Sequence, residues 1–161
     1  MKLYLKQKVF SLRGDFNIYD QLETPIYRVE GKLMSFGRQL RLYDVQSGEE
    51  LAFVKQQVFS FLPKINVFYQ DEPIATITKK FTFLKPTYEI SEIGWSIEGD
   101  FWAHDYTVYN GSGQVVADIN KKVFSWSDTF EVNIVQEEID PAIVIAIVLA
   151  IDAAMDASKN N

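Results

Sequence analysis

The sequence predicts a mainly β protein, in which about twelve antiparallel strands form a closed barrel around a hydrophobic C-terminal helix. Three observations predict it. Apolar and polar residues alternate with a period of two from residue 1 to residue 136, which is typical of half-buried strands. One apolar segment stands near the end of the chain, at about residues 140–157, and aromatic residues make up 14% of the sequence. The chain of 161 residues is of ordinary size for one domain, so we predict a single domain over residues 1–161.

The strands follow one another along the chain and are separated by turn signals such as Asn110-Gly111, Pro63 and Pro86. Many short strands at close, regular spacing are typical of antiparallel barrels and sandwiches. The alternating segments are LYLKQKVFSL (3–12), FNIYD (16–20), PIYRVEGKLM (25–34), RQLRLYDV (38–45), ELAFVKQQVFSF (50–61), KINVFY (64–69), IATITKKFTF (74–83), TYEIS (87–91), WSIEGDFW (95–102), DYTVY (105–109), QVVADINKKVFSW (114–126) and DTFEVNIVQ (128–136).

One short phrase recurs along these strands. It reads KVFSL, QVFSF, KFTFL and KVFSW, at residues 8–12, 57–61, 80–84 and 122–126. VEGKL (29–33) and IEGDF (97–101) also resemble each other. The copies indicate equivalent hairpins in two related halves of one sheet; the alternative is that strands rich in Val and Phe resemble one another by composition alone.

The apolar segment at 140–157 has three interpretations: a membrane-spanning helix, a further strand or a buried helix. A spanning helix needs about 20 apolar residues. Here the uninterrupted run covers only residues 142–151, and Asp152 and Asp156 follow it one turn apart. We therefore expect no transmembrane segment.

Helix is favoured over strand by the residues that open the segment. Asp140 is a good N-cap, and Pro141 suits the first helical position. Glu137 and Glu138 complement the positive end of a helix dipole. Because the first three turns are apolar on every side, the helix must be enclosed by protein.

The dimensions of a strand and of a helix indicate what the enclosure is. A barrel wall stands about 10 Å from the axis of an enclosed helix, and a tilted strand takes about 6 Å of circumference, so roughly ten strands close the ring. This number agrees with the count of alternating segments. The sequence therefore predicts strands over residues 1–136 and a central helix at about 140–157.

The chain resembles the LURP-one-related family of the tubby C-terminal-like superfamily, which also includes the phospholipid scramblases. The resemblance lies in YLKQKVFSLRGDFNIYD (4–20), VEGKL (29–33), GWSIEGDFWAHDYTVYN (94–110) and the final helix. It implies a twelve-stranded barrel around a central helix, and it implies no particular activity. Tubby-type domains are associated with phosphoinositide binding through basic residues that have no residue-by-residue match here. Scramblase-like members use acylated cysteines, and this chain has no cysteine.

Composition excludes several classes of function. A net charge of −6 disfavours nucleic acid as a partner. The absence of cysteine excludes disulfides, thiolate metal sites and a cysteine nucleophile. The first residues have no signal-peptide pattern, so we expect a cytoplasmic protein. We predict no cofactor and no metal.

Catalytic candidates are few. His104 is the only histidine, with Asp100 and Asp105 close to it in sequence. An unrecognised enzyme with a site near His104 is the remote hypothesis; a histidine in a surface turn is the ordinary interpretation. We predict that the protein is not an enzyme.

Lysines recur at matching positions of the repeated phrase and supply the binding hypothesis. Lys79, Lys80, Lys121 and Lys122 are the main candidates, with Lys6, Lys8 and Lys55 at related places. If the hairpins are equivalent, these lysines form a basic belt that binds an anionic ligand such as a phospholipid head group, with the protein peripheral to a membrane. The alternative is solvent-facing lysines that keep the sheet soluble. The first prediction of function is thus a non-enzymatic binding or scaffold domain, with anionic lipid or a protein as partner.

Overall fold

The computed structural model describes residues 1–6, 14–80, 87–123 and 128–159. Twelve strands precede one helix, as the sequence predicts. The strands are β1 (Lys2–Lys6), β2 (Gly14–Tyr19), β3 (Pro25–Met34), β4 (Gly37–Asp44), β5 (Glu50–Gln57), β6 (Lys64–Tyr69), β7 (Glu72–Lys80), β8 (Thr87–Ser91), β9 (Ser96–Asp100), β10 (Asp105–Tyr109), β11 (Val115–Val123) and β12 (Asp128–Ile134), and the helix is α1 (Pro141–Lys159).

The strands form one antiparallel sheet that curls into a nearly closed barrel. Its order is β8-β7-β6-β5-β4-β3-β2-β1-β12-β11-β10-β9, so neighbours in sequence are neighbours in the sheet, and β1 pairs with β12. β8 and β9 are the two outer strands and lie beside each other, but no ladder joins them within the described residues. The predicted ring is therefore confirmed, with a seam between these two strands.

Successive antiparallel strands place their connections at alternate ends of the barrel. The β2–β3, β4–β5, β6–β7, β8–β9 and β10–β11 connections lie at one end, here called the proximal end, where α1 begins. The β3–β4, β5–β6 and β9–β10 connections lie at the other, the distal end, where β1, β7 and β11 also finish. These two ends carry different side chains, and the difference locates the candidate site.

The start of α1 is fixed at the proximal end by the cap that the sequence predicts. Asp140 accepts a hydrogen bond from the Ala142 amide at 2.9 Å, so its carboxylate satisfies one of the unpaired amides of the first turn. The hydroxyl group of Tyr69, at the end of β6, donates a hydrogen bond to the same carboxylate. One aspartate thus caps the helix and attaches it to the barrel wall.

The helix fills the barrel and is the centre of the hydrophobic core. Ile145, Ile147 and Ile151 have no exposed surface, and they meet inward-facing residues of the strands such as Leu40 and Ile65. α1 packs most closely on β4 to β7 and also contacts β12. The prediction of an enclosed helix is confirmed.

The repeated phrase is described in full at only one place. Of its four copies, residues 8–12 and 81–84 lie outside the described residues, as do residues 124–126. At 57–61 the prediction of a continuous strand was wrong, because β5 ends at Gln57 and residues 58–61 form the connection to β6. The reason is that the β5–β6 ladder ends where Gln57 pairs with Lys64, so the chain turns there and leaves Phe59 and Phe61 exposed.

Candidate functional site

The four predicted lysines all lie near the distal end of the barrel. Lys79 and Lys80 are the last two residues of β7. Lys121 and Lys122 lie just before the last residue of β11. Side chains alternate along a strand, so the two members of each pair belong to opposite faces of the sheet. Lys79 is in register with buried Tyr88, which places it on the inward series of β7.

The structure does not bring the two lysine pairs together. Across the seam, β8, β9 and β10 separate β7 from β11 around the ring. Each outward lysine also has an acidic neighbour: Lys80 forms an ion pair with Glu89, and the Lys122 Nζ atom is 3.9 Å from Oε1 of Glu131. The lysines therefore occupy two separate arcs of the distal end.

The β7 pair belongs to a part of the sequence in which long segments contain no acidic residue. Residues 31–43, 51–70 and 73–88 include none of the 22 Asp and Glu of the chain. The same segments hold eight of its 16 Lys and Arg: Lys32, Arg38, Arg41, Lys55, Lys64, Lys79, Lys80 and Lys85. A protein with a net charge of −6 thus has long segments with only basic charge within β3 to β7, whereas Glu30, Asp44, Glu50 and Glu72 lie in the middle or proximal parts of these strands.

Three of these lysines form a group on the outer face near the distal end. Lys32 and Lys55 are both in register with Gln39, which lies between them on β4. Lys64 is the first residue of β6 and pairs with Gln57 at the end of β5. Neighbouring strands are about 5 Å apart, so this spacing keeps the three ammonium groups on one surface.

Large apolar side chains are exposed above these lysines. The apolar rim, as we call it, consists of six residues in the β3–β4 and β5–β6 hairpins: Leu33, Met34, Phe36, Val58, Phe59 and Phe61. Phe59 is 100% exposed and Phe61 is 97% exposed. The two hairpins are in direct contact, because a Cβ atom built on Gly37 would lie 2.8 Å from Cγ2 of Val58.

The basic residue nearest the interior at this end is neutralised by the helix. Arg38 is 8% exposed, and its Nη2 atom is 2.8 Å from Oδ2 of Asp156. Its backbone amide donates to the side-chain oxygen of Gln56 at 3.1 Å. Arg38 therefore connects β4, β5 and the last turns of α1, and it lies on the inner side of the apolar rim.

His104 has a different environment from the one predicted. It lies in the turn between β9 and β10 with a φ angle of 52°, but its side chain faces inward, where Nδ1 is 3.8 Å from Oδ1 of Asp152 on α1. His104 therefore lies in a turn, as the ordinary interpretation predicts, but its side chain is directed toward the helix and not toward the solvent. Asp100 accepts from the Ala103 amide at 3.1 Å, so it closes the turn rather than orienting the histidine.

Asp152 is a buried carboxylate next to His104. The sequence patterns did not identify the two residues as partners. Asp152 is 6% exposed. Burial, and next the negative charge of Asp152, raise the pKa of Tyr106 above its usual range. The signal for Asp152 was present in the sequence, since an aspartate on a helix that is apolar all round must find a polar partner inside the barrel.

No metal centre accompanies this polar cluster. Within the parts of the chain that the structure describes, no group of three His, Asp or Glu side chains is arranged to hold a metal ion.

A groove of about 360 Å³ lies on the outer face of β1 and β2. Its side chains mix both charges with aromatic rings: Tyr4, Lys6, Tyr19, Asp20, Gln21, Glu23 and Thr129. The Lys6 ammonium already lies 4.9 Å from the centre of the Tyr19 ring, and Asp20 accepts hydrogen bonds from two amides of the next turn. Lys6, Tyr19 and Asp20 are therefore already engaged in contacts within the protein.

The barrel, the enclosed helix and the sequence motifs agree with a known family. The LURP-one-related family model matches residues 1–152. The chain belongs to the LURP-one-related family. A similar protein is the uncharacterized protein YxjI of Bacillus subtilis strain 168, which is 36% identical to this chain over 147 residues. The matched residues cover 91% of this chain and 89% of that protein.

A solved structure supports the fold of this family member. An X-ray structure of an Arabidopsis thaliana protein superposes with a TM-score of 0.65 over 94% of this chain and 90% of that chain. The two sequences are 18% identical, so this likeness concerns the fold alone.

Among the residues that the structure describes, no helix has both the length and the hydropathy needed to cross a bilayer.

Proposed function

We propose that this LURP-one-related chain is a non-enzymatic binding domain, with residues 1–161 acting as one unit, and that its distal end binds surfaces of anionic phospholipid head groups. One observation carries the proposal. Lysine is concentrated at the distal ends of the strands, where Lys79, Lys80, Lys121 and Lys122 lie, although the whole chain is acidic.

The charge distribution supports a surface as the ligand. The four lysines occupy two arcs and face both sides of the sheet, so they do not converge on one small anion. A plane of head groups can contact both arcs at once, and each lysine close to such a plane contributes about 1 kcal/mol. The distal parts of β3 to β6 add attraction, because residues 31–43 and 51–70 contain basic residues and no Asp or Glu.

The polar cluster at His104 supports a structural role rather than catalysis. His104 and Asp152 bridge the β9–β10 turn to α1, and Asp100 is engaged by the backbone of that turn. A general base needs an accessible substrate as well as a partner carboxylate. The contacts of these residues instead connect the helix to the wall.

Sedimentation with vesicles tests the proposal. We expect the protein to pellet with vesicles that contain phosphatidylserine, to stay in solution with pure phosphatidylcholine, and to dissociate as salt rises. The double variants K79Q/K80Q and K121Q/K122Q each remove two charges and should weaken partitioning about tenfold or more.

The matched control is K2Q/R28Q, which also removes two positive charges. Lys2 and Arg28 lie in the proximal halves of β1 and β3. We expect the control variant to bind anionic vesicles like the parent protein. Equal recovery of the parent with neutral and anionic vesicles would rule out the proposal, as would a loss of binding in the control as large as in the lysine variants.

A further inference from the structure

We propose that the apolar rim inserts into the head-group region of the bilayer, with Phe59 and Phe61 entering first, so that the barrel docks on one side of its distal end. This inference rests on the proposed function. It adds the residues that penetrate the lipid and the orientation in which the protein lies.

The exposure of the rim is the first reason. Of the eleven large hydrophobic side chains exposed among the described residues, six belong to these two neighbouring hairpins. Isolated apolar residues on a surface need no explanation, whereas a contiguous group marks an interaction site. Phe59 and Phe61 lie on either side of Ser60 and have no place in the core, so their rings are available for a partner.

The rigidity of the rim is the second reason. Val58 packs against the β3–β4 turn at Gly37, and Arg38 connects that turn to Gln56 and to Asp156. The two hairpins are therefore held together before any partner arrives. A surface ordered in advance loses little conformational entropy on binding.

The charge around the rim decides which partner fits. Lys32, Lys55 and Lys64 lie on the outer face just behind it, and no acidic residue occurs in residues 31–43 or 51–70. Apolar side chains that reach about 5–10 Å into the boundary, with lysines behind them at head-group level, are the arrangement of interfacial membrane binding. An anionic bilayer satisfies both the rings and the ammonium groups.

A second copy of the chain fits this surface less well. In a symmetric dimer the same patch meets itself, so the three lysines would face the three lysines of the other copy. Like charges across an interface are unfavourable. A dimer through the rim is therefore the alternative that the experiment must detect.

The first test replaces the two leading rings. F59S/F61S should lower partitioning onto phosphatidylserine-containing vesicles by about tenfold or more, because burial of a Phe side chain stabilises by about 1.5–3 kcal/mol. The parent should also keep a salt-resistant fraction of binding that this variant lacks. The control L22S/V135S removes two exposed apolar residues near the proximal end, Leu22 being 85% exposed, and should bind like the parent.

The second test measures depth directly. The chain has no cysteine, so S60C provides a single site for an environment-sensitive dye at the tip of the β5–β6 connection. Emission should shift to the blue when anionic vesicles are added. The same dye at S112C, in the proximal β10–β11 connection, should show no shift.

The outcomes separate the two proposals. If F59S/F61S binds like the parent and the dye at residue 60 does not respond, insertion is wrong and electrostatic docking stands. If the parent binds no vesicle of either composition, both proposals fail. If light scattering shows a parent dimer that F59S/F61S converts to a monomer, the rim is an interface between copies and insertion is overturned.

Discussion

At the scale of single residues, the junction of Tyr69 and Asp140 shows how one contact joins two parts of the fold. The tyrosine hydroxyl donates to the carboxylate that caps α1. This hydrogen bond, with burial as the next cause, raises the pKa of Tyr69 to about 12. The unfolded chain has the ordinary tyrosine pKa of about 10.

The sign of the pH effect follows from this shift. A group whose pKa is raised by folding stabilises the protein fully below its unfolded pKa, and the contribution is lost as pH rises through the folded pKa. We expect Y69F to lower the free energy of unfolding by about 1 kcal/mol near pH 8. Between about pH 10 and pH 12 the parent should lose stability more steeply than Y69F. Urea unfolding followed by circular dichroism at several pH values measures both effects.

Tyr27, whose pKa burial also raises to about 12, is present in both proteins, and only the smallest cause of its shift, the charge of Tyr69, differs between them. Parallel pH profiles for the parent and Y69F would show that the Tyr69–Asp140 contact does not stabilise the fold.

Residues also differ in how far the sequence predicts their roles. The cap at Asp140 was predictable, because its partner amide lies two residues away. The partners of Asp152 and Asp156 were not, since His104 and Arg38 are 48 and 118 residues away along the chain and reach the helix only when the barrel closes. Lysine positions were predictable, but their acidic neighbours depend on strand register.

At the scale of elements, α1 tests whether the barrel is built around its helix. Ile147 has no exposed surface and lies midway along the run of apolar residues. I147D would place an unpaired carboxylate in the core, so we expect no soluble folded protein. I147V keeps the apolar contact and should cost about 0.5–1.5 kcal/mol.

Soluble yield and thermal unfolding of the two variants measure this difference, and I147A, with an expected loss of about 2–5 kcal/mol, gives a graded intermediate. An I147D protein as soluble and stable as I147V would mean that the helix is not enclosed.

Elements also show where periodicity misleads. The alternation in ELAFVKQQVFSF continues to residue 61, yet β5 stops at Gln57. Alternation predicts which residues share a face, whereas the length of a strand is decided by where the barrel wall ends. Beyond that point the same pattern places Phe59 and Phe61 in solvent and creates the apolar rim.

At the scale of the whole molecule, the seam between β8 and β9 is the place where the ring is least closed. Ten strands have ladder partners on both sides, and these two have a partner on one side only within the described residues. An outer strand with unpaired amides opens more readily than an inner one. Deuterium exchange should therefore be fastest, among the strand segments, for the peptides that cover β8 and β9.

The peptides that cover β3 and β4, which are paired on both sides, are the internal reference for that measurement. Protection of β8 and β9 equal to that of β3 and β4 would indicate that the seam is closed in solution by backbone hydrogen bonds.

The sequence by itself determined the strand content, the enclosed helix and the family resemblance. These depend on local patterns: period two along the strands, an N-cap followed by proline, and a helix without a polar face. Only the tertiary structure decided which residues meet at each end of the barrel. Ring order and register separate Lys79 and Lys80 from Lys121 and Lys122, turn His104 toward Asp152, and bring two apolar hairpins together above three lysines. The physical reason is that such contacts join residues far apart in the chain, and a one-residue change of register would move every one of them to the other face of the sheet.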